Sequence, residues 1–583
     1  MNTTWNKIWI LTCATLMIAL QSCYAGFEDL SNETSPDKTT TSNIQDTQGP
    51  EIKLVDADVI DIYHNSTYSE LGATVTDNID HDLDVLITGT VDTEVAGEYF
   101  ITYQATDLAG NQSTKIRQIN VIEVPFIFTI SKYNPSDELT LVLNASDGVY
   151  NYNVNWTDNV TDKGLTGGVN HTYDFGGPYQ VSISGVFPSL QIYCSLYCEI
   201  TVEQWGSNNW QSLYQFLTYF RIVNINATDS PNLKDIQSLE RMFVGNDNVN
   251  GNLNNWDTSN IKNIDSMLLY SKNVNLKIDQ WDVSNVETMQ VAFSGIESHT
   301  LDLSKWNVSN LKYLDDTFSQ STACDTDLSR WDVSQVKSVK FLFANCTGLI
   351  SDVTGWNVSS FENLNFVFGG ASLFNQDLSL WDVSNITSMG YLFTEAINFN
   401  QNINNWDVSN VNNMQGVFKK AQKFNQTLSR WGVSNVTNMD RMFEKAMSFN
   451  QPLDNWNVSN VNTMISMFAE ATNFNQNLST WNVSNVENMA LMFANATSFD
   501  QDLSAWNISN VWDMEHMFDR VTLSTEHYDA LLISWSAQDV QTHVRFSGGN
   551  SQYTPNSAAS AARDVLISVY KWRITDGGPV LVQ

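Results

Sequence analysis

Carboxylates with the spacing of metal ligands lie near the N-terminal end of the chain. Asp80, Asp82 and Asp84 alternate with other residues, and Asp77 precedes them. The spacing is that of the first ligands of an EF-hand loop, but Val85 stands where that loop requires Gly, so an EF-hand is excluded. Side chains alternate along a strand, which would put the three carboxylates on one face. The pattern predicts either a surface Ca²⁺ site or a solvated acidic edge, and we expect no other cofactor.

Tryptophan recurs every 25 residues through the C-terminal half, from Trp256 to Trp506. The residue after each Trp is mostly Asp or Asn, whereas the residue before each Trp varies. We expect both columns to face outward, where the polar column either forms hydrogen bonds along the stack or binds a ligand. The variable column is then where ligand specificity would arise. The candidate ligand-binding residues are Asp257, Asp282, Asp332, Asp382, Asp407, Lys305, Arg330 and Arg430.

The elements that must position these columns follow from the spacing within one unit. A fixed period of 20 to 50 residues indicates stacked units that share one core. The pattern Leu428-x-x-Trp431-x-Val433 predicts a strand. The apolar residues from Val436 to Ala446 recur at steps of three and four, which predicts a short helix. Each unit should therefore add one strand to a parallel sheet, with Trp in the core; the alternative is a Trp platform on which glycans stack.

The repeats, W-[DN]-V-S-N-V-x-x-M-x-x-M-F, resemble the BspA-like leucine-rich repeats of bacterial surface proteins over residues 229–520. The segment from Tyr528 to Gly578 resembles the closing segment that follows such repeats. The resemblance implies an α/β solenoid with a parallel sheet and a role in adhesion to host or matrix molecules.

Two β-rich segments precede the repeats. Residues 47–123 resemble the Ig-like domains of bacterial surface proteins, with short β-branched runs separated by turns. Residues 124–204 resemble a diverged PKD-type sandwich, in which Thr157-Asp158-Asn159 replaces the usual W-G-D-G turn. We therefore predict a multi-domain chain: an Ig-like and then a PKD-like β-sandwich, a leucine-rich-repeat-type α/β solenoid at 205–520 and a C-terminal cap at 521–583.

The N-terminus carries the pattern of an export signal. Lys7 precedes the apolar run Ile8 to Leu20, which is too short for an ordinary transmembrane helix. The run ends in Leu20-Gln21-Ser22-Cys23, which resembles the lipobox of bacterial lipoproteins.

That resemblance implies a signal peptide at residues 1–22, acylation of Cys23 and a polar tether at residues 23–46. Cleavage after Ala25 would instead release a free secreted protein. With the lipid anchor, the chain would sit at the outer membrane or cell surface, attached to the membrane through the lipid alone.

The formal net charge of −35, from 64 acidic and 29 basic residues, excludes a nucleic-acid partner, because such a protein needs a basic stripe to displace counterions. An exported compartment permits disulfides, and we expect Cys194 and Cys198 to be bridged. Cys324 takes the place of an inward Phe and Cys346 that of an inward Ala in the next unit. The sequence leaves open whether those two are bridged.

The function that these features favour is a cell-surface lipoprotein that acts as an adhesion or binding module, a monomer whose partner is an extracellular protein or glycan. The alternative is a glycan-binding or structural envelope lipoprotein. We predict no enzyme, because nucleophile, phosphate-loop and zinc-protease motifs are absent and a repeated column offers no unique acid or base. A carbohydrate-active enzyme that uses paired carboxylates is the remaining, less favoured alternative.

Overall fold

The computed structural model describes residues 45–581 except 65, 133, 135–137, 146–147, 175, 196 and 322–323. The predicted signal peptide, the acylated Cys23 and the tether up to residue 44 lie outside the described residues. The described chain divides into two compact units. The first comprises the residues up to Val55, Gly72–Ile87 and Thr102–Lys115; the second comprises Asp56–Leu71, Thr88–Ile101 and the chain from Ile116 onward.

The N-terminal region is Ig-like. In the first unit, β1 pairs with β3 in antiparallel orientation. In the second unit, β2 pairs with β6 in parallel, and β6 alternates buried with more exposed residues from Arg117 to Val121, as expected for a strand that covers a core. The strands of this region are β1 (Glu51–Leu54), β2 (Val59–Tyr63), β3 (Ala73–Thr76), β4 (Leu86–Thr88), β5 (Gly97–Thr106) and β6 (Gln112–Ile122).

The next segment, within the second unit, is a sandwich of two sheets that share one core. Phe126, Phe128 and Ile130 alternate along β7 and are fully buried, and alternate residues of β8 are buried likewise. The strands are β7 (Phe126–Ser131), β8 (Leu139–Asn144), β9 (Asn151–Asn155), β10 (Thr161–Leu165), β11 (Val169–Tyr173), β12 (Tyr179–Val186), β13 (Gln191–Cys194) and β14 (Glu199–Gln204).

The sandwich continues directly into the solenoid through β14. This strand pairs with β7 in antiparallel orientation on one side and with β15 in parallel on the other. The parallel series then runs from β15 to β18. The sandwich therefore covers the edge of the first coil, where N–H and C=O groups would otherwise lack partners. The strands are β15 (Ile222–Ile225), β16 (Asn248–Asn252), β17 (Asn273–Lys277) and β18 (Ser298–His299).

The solenoid makes about 14 turns within the described residues. The Trp side chains from Trp256 to Trp506 are at most 5% exposed, and Trp456 and Trp481 stack with ring centroids 6.5 Å apart. The Nε1 of Trp431 donates to the carbonyl of Ile403 in the preceding coil at 3.0 Å. The prediction that Trp belongs to the core is confirmed, and the alternative of a glycan-stacking platform is wrong, because the rings are buried.

The predicted short helix in each unit is wrong, and the solenoid is not an α/β leucine-rich repeat. Residues 440–445 form consecutive turns in which the N–H groups alternate between two kinds of partner. Met442 N donates to the carbonyl three residues earlier, whereas Phe443 N donates to Met467 O of the next coil at 2.8 Å. Arg441 has a φ of 60°. A helix needs right-handed φ throughout and N–H groups bonded within the segment, so neither condition holds.

The predicted strand at the Trp is also replaced by a turn. Trp431 N donates to Leu428 O at 3.1 Å, which closes a tight turn where a sheet was expected. Neighbouring coils meet farther along the chain, in single parallel bridges such as Asn438 with Thr463. The polar column after each Trp is thus held by turns and not by a strand.

The C-terminal segment contains the two α-helices of the described residues, α1 (Thr525–Ser536) and α2 (Ala558–Ser568). The side chain of Ser557 accepts from Ala559 N and Ser560 N, which caps α2. Strands β19 (Arg545–Ser547) and β20 (Arg573–Thr575) pair in parallel, and Phe546 bridges to Met514 of the last coil, so this segment covers the far end of the solenoid. Among the described residues, neither helix is long and apolar enough to cross a bilayer.

Candidate binding face of the solenoid

The predicted ligand-binding residues lie at a corner of each coil, between two tight turns. The first turn ends at Trp331 and the second begins at Val333, whose carbonyl accepts from the N–H three residues later. Trp331 and Val333 are buried, whereas Arg330 and Asp332 are exposed. The corner therefore presents the variable residue and the acidic residue to solvent on either side of a fixed indole.

The carboxylates of the first polar column cap the second turn. Asp332 Oδ1 accepts from Ser334 N at 3.0 Å, and Asn457 in a later coil makes the same contact at 3.2 Å. The side-chain oxygen of Asn457 thus accepts the same hydrogen bond as that of Asp332, so the turn does not require a charged side chain. Hydrogen bonds from the Ser two residues later hold the pKa below the usual range at Asp282, Asp332, Asp382 and Asp407.

The structure adds a second acidic column that the sequence analysis missed. It lies five residues before the first column, at the other end of the Leu-x-x-Trp turn, and each carboxylate accepts from the Ser or Thr two residues later. The signal in the sequence is Asp at four consecutive places of the 25-residue period. This column consists of Asp302, Asp327, Asp352 and Asp377, all exposed and all with a lowered pKa.

We call the two exposed columns together the acidic corner. It runs along consecutive coils from residue 257 to residue 407, and in later coils Asn and Gly replace Asp in the first column. The charge of the solenoid surface at this corner therefore changes along its length. The acidic corner consists of Asp257, Asp282, Asp302, Asp327, Asp332, Asp352, Asp377, Asp382 and Asp407.

The variable column is exposed beside the acidic corner, and its members differ in their contacts. Lys305 Nζ lies 2.8 Å from Asp279 Oδ2, and this contact lowers the pKa of Asp279 well below its usual range. Arg330 and Arg430 are exposed, and in the same column Leu380 is 84% exposed. A cation and a large apolar side chain thus occupy equivalent places on successive parts of one surface.

The predicted metal ligands of the Ig-like region are separated into two sets. Carboxylate oxygens of Asp77 and Asp80 lie within 4.8 Å of each other and of Asp46, which the sequence analysis did not single out. Asp82 and Asp84 are exposed and do not belong to this group. The alternation that would have put Asp80, Asp82 and Asp84 on one strand face does not apply, because no described strand includes them.

Two disulfides are present in the described residues. Cys194 and Cys198 are bridged with their Cα atoms 6.4 Å apart, at the end of β13. Cys324 and Cys346, which the sequence left open, are bridged between adjacent coils with their Cα atoms 6.1 Å apart. Both separations lie within the range that a disulfide spans.

Comparison with known families gives two matches. Residues 52–121 match the model described as bacterial surface protein, Ig-like domain, so the chain carries a domain of bacterial surface proteins. No curated protein sequence matches the chain. A second model matches four overlapping stretches, 211–328, 237–353, 339–446 and 426–531, which together cover more than half of the 583 residues. The chain therefore belongs to the family described as Mycoplasma protein of unknown function, DUF285.

Proposed function

We propose that the chain is an adhesion or binding module of the bacterial surface whose solenoid binds an extracellular protein or glycan at the acidic corner and the variable column. The observation that carries this proposal is the mixture of residue types at the corner. A fixed turn presents there an exposed residue that changes from coil to coil, next to carboxylates that the turn does not need. Packing explains the buried columns, whereas it does not explain this variation.

Charge narrows the class of ligand. The corner carries nine carboxylates on a chain with a net charge of −35, so polyanions are repelled and a cationic protein surface is attracted. The later coils, where Asn457 and its equivalents replace Asp, offer neutral amides that suit glycan hydroxyls, which keeps a glycan-binding envelope protein as the second candidate. We propose no enzymatic activity, because every polar column is repeated and supplies no unique acid or base.

Binding can be tested with variants that change charge alone. In Asp332→Asn, Asp382→Asn and Asp407→Asn the amide can keep the turn cap, as Asn457 does. We expect the triple variant to bind an extracellular-matrix protein array more weakly and with a smaller dependence on salt than the unaltered chain. The control changes two exposed carboxylates of the C-terminal segment, Asp539→Asn and Asp564→Asn. Equal binding by both variants would exclude the corner.

We further propose that acylation of Cys23 anchors the chain and that the Ig-like and second sandwich regions act as spacers. The support is the lipobox-like Leu20-Gln21-Ser22-Cys23 together with the match to an Ig-like domain of surface proteins. Cys23→Ser should move the protein from the membrane fraction to an unprocessed or soluble form. Finding a mature N-terminus directly after Ala25 in the unaltered protein would refute the anchor without affecting the proposed binding face.

A further inference from the structure

Two tyrosine rings lie exposed on the early coils of the solenoid. Tyr219 is 62% exposed and Tyr270 is 52% exposed, so neither ring belongs to the buried core. A Cβ at Gly245 would lie 2.5 Å from Cδ1 of Tyr219, and a Cβ at Gly295 would likewise meet the ring of Tyr270. Each ring therefore lies directly against the backbone of the next coil, while most of its remaining surface faces solvent.

The backbone conformation alone does not require glycine beneath these rings. Gly245 and Gly295 have left-handed φ angles of 71° and 74°. At the equivalent place of later coils, Gln320 and Lys420 adopt φ angles of 56° and 57° with a side chain present. What distinguishes the two glycines is that a side chain there would occupy the space of the tyrosine ring. The absence of a Cβ therefore lets each ring lie against the coil.

A third pair of this kind shows what is different about the first two. Tyr391 lies against Gly416 in the central coils, and there Phe366 stacks on Tyr391 with the ring centroids 4.7 Å apart. Among the residues that the structure describes, no aromatic ring stacks on Tyr219 or Tyr270, and both remain exposed. The ring surface that a neighbouring side chain covers in the central coils is thus open in the early coils.

Polar side chains lie beside the two open rings. Asp247 accepts a hydrogen bond from the exposed Tyr197, and its Oδ1 lies 2.8 Å from Nζ of Lys272. Lys272 follows Tyr270 by two residues in the sequence. Asp247 likewise follows by two residues the glycine that lies against Tyr219. Aromatic rings with a few polar groups near them are typical of a site for a small polar ligand.

The spacing of the rings suits an extended chain of sugar units. Tyr219 N donates to Val244 O at 2.9 Å, and Gly245 N donates to Leu269 O, just before Tyr270, at 2.8 Å. Because the coils are hydrogen-bonded, the two tyrosines lie about 10 Å apart, which is two spacings of about 4.8 Å. A β-1,4-linked chain turns each sugar over relative to the next and repeats after two units over a similar length. Alternate sugars therefore present the same face to both rings.

We propose that Tyr219 and Tyr270, with Asp247 and Lys272, form a binding site for an extended, neutral, β-1,4-linked oligosaccharide. The carbon-bound hydrogens of two sugar units pack on the rings, and sugar hydroxyls bond to the carboxylate and the ammonium group. A neutral glycan is favoured because the net charge of −35 repels anionic ones. The site uses none of the residues of the acidic corner and does not depend on what that corner binds.

The test is isothermal titration calorimetry of the full chain with two neutral hexasaccharides, cellohexaose and chitohexaose. We expect the unaltered chain to bind at least one of them. Tyr219→Ala and Tyr270→Ala should each weaken this binding about tenfold, the size expected for the loss of one ring contact. Tyr219→Phe keeps the ring and should retain most of the affinity. The matched control Tyr313→Ala removes an exposed tyrosine at a different place of the coil and should bind like the unaltered chain.

The same titrations separate this site from the acidic corner. The triple variant Asp332→Asn, Asp382→Asn and Asp407→Asn should bind the hexasaccharide with unchanged affinity, whatever its effect on matrix proteins. Loss of hexasaccharide binding in the triple variant but not in Tyr219→Ala would place the glycan at the corner and overturn the proposal. Binding of neither hexasaccharide, or an equal loss in Tyr313→Ala, would overturn it as well. So would a Tyr219→Ala variant that loses only its binding to a matrix protein, because the rings would then belong to a protein interface.

Discussion

The early and the central coils of the solenoid fill the same inward place in two different ways. In the early coils, Val223, Val249 and Val274 are register partners in a parallel strand ladder that continues from the sandwich. In the central coils, six Phe side chains from Phe374 to Phe499 replace them and stack about 6 Å apart. β-branched residues fit a pleated strand, whereas the stacked rings join successive coils where that ladder is absent.

The residue that follows this inward position in the sequence also differs between the early and the central coils. In the central coils the first five of these Phe residues are followed by Asn and the sixth, Phe499, by Asp. Asn450 N donates to Asn425 Oδ1 of the preceding coil at 3.0 Å. The side-chain oxygen of Asn therefore accepts the hydrogen bond from the next coil that a main-chain carbonyl accepts in the early strands. Successive coils are therefore joined in two ways: by the Phe-Asn-Gln segment in the central coils and by the Val-containing strands in the early coils.

Between these two regions lies a segment that we call the seam, residues 299–350. Among its described residues, neither the parallel strands nor the Phe-Asn-Gln segment joins the coils. His299, Cys324 and Leu349 occupy the inward place, and the strand ladder ends at His299. A cavity of ≈ 10 Å³, close to the size of one water molecule, is lined there by Phe293 and Phe318 among others. The Cys324–Cys346 disulfide crosses this seam. Because His299 and Cys324 replace the inward Phe, the sequence predicts that the units between Trp256 and Trp331 open first. The strand ladder joins the coils up to His299, so we expect opening to begin in the seam instead.

The largest effect should come from a second row of Phe side chains, which includes Phe443 and packs against the row from Phe374 to Phe499. Phe443 lies 4.0 Å from Phe449 and 5.5 Å from Phe468, centroid to centroid, and is fully buried. Phe443→Ala should lower the free energy of opening of its coil by about 3 to 5 kcal/mol. The exposed Asn435, which donates to Ser409 O, should lose only about 1 kcal/mol in Asn435→Ala. Hydrogen exchange resolved by coil measures both, and equal losses would contradict a packing-dominated stack.

Removal of the seam disulfide should have the next largest effect. The bridge closes a loop with a sequence separation of 22, for which chain entropy gives about 3 kcal/mol. Cys324→Ala with Cys346→Ala should speed exchange in residues 299–350 and leave the central coils protected. Cys194→Ala with Cys198→Ala is the control and should not affect the seam. If the central coils opened equally, the seam would not be a separate weak point.

Two glycines test how tightly the coils are packed. Gly416, in one of the central coils, has a φ of 61°, and a Cβ there would lie 2.5 Å from the Tyr391 ring. Gly416→Ala should therefore cost about 1 to 3 kcal/mol. Gly355, in the variable column, has open space around its Cα, and Gly355→Ala should leave thermal stability almost unchanged. A similar loss in the two variants would mean that the corner is not free surface.

The smallest difference should appear in acid. The lowered pKa values of the acidic corner mean that its turn caps contribute stability above the usual carboxyl pKa of about 4 and lose it as the pH falls further. Coils capped by Asn457, Asn482 and Asn507 have no such charge to lose. The last of these coils also contains Asp500, whose pKa is lowered by hydrogen bonds from Ser524 and His527, so it is left out of the comparison. Between pH 6 and pH 3, protection factors should therefore fall in coils 277–407 and remain nearly constant in residues 457–490. A uniform fall would indicate that the caps do not depend on charge.

The sequence alone was sufficient to predict which residues of each coil are buried and which are exposed. The 25-residue period identified the inward Trp and Phe, because only packing requires apolar residues at a constant interval. The outward exposure of Asp332 and Arg330 followed from the buried Trp331 between them. The second acidic column could have been found by the same period, since Asp302 and its three successors repeat it.

Only the tertiary structure decided what the backbone does between those residues. Steps of three and four arise from a helix and equally from turns that alternate with bonds to the next coil, so the spacing could not distinguish them. Left-handed φ at residues such as Arg441 costs about 1 to 2 kcal/mol each and is offset by bonds like that from Phe443 N to Met467 O. Partners 24 residues apart leave no local signal, and the same is true of Asp46, which meets Asp77 and Asp80 only when the chain folds.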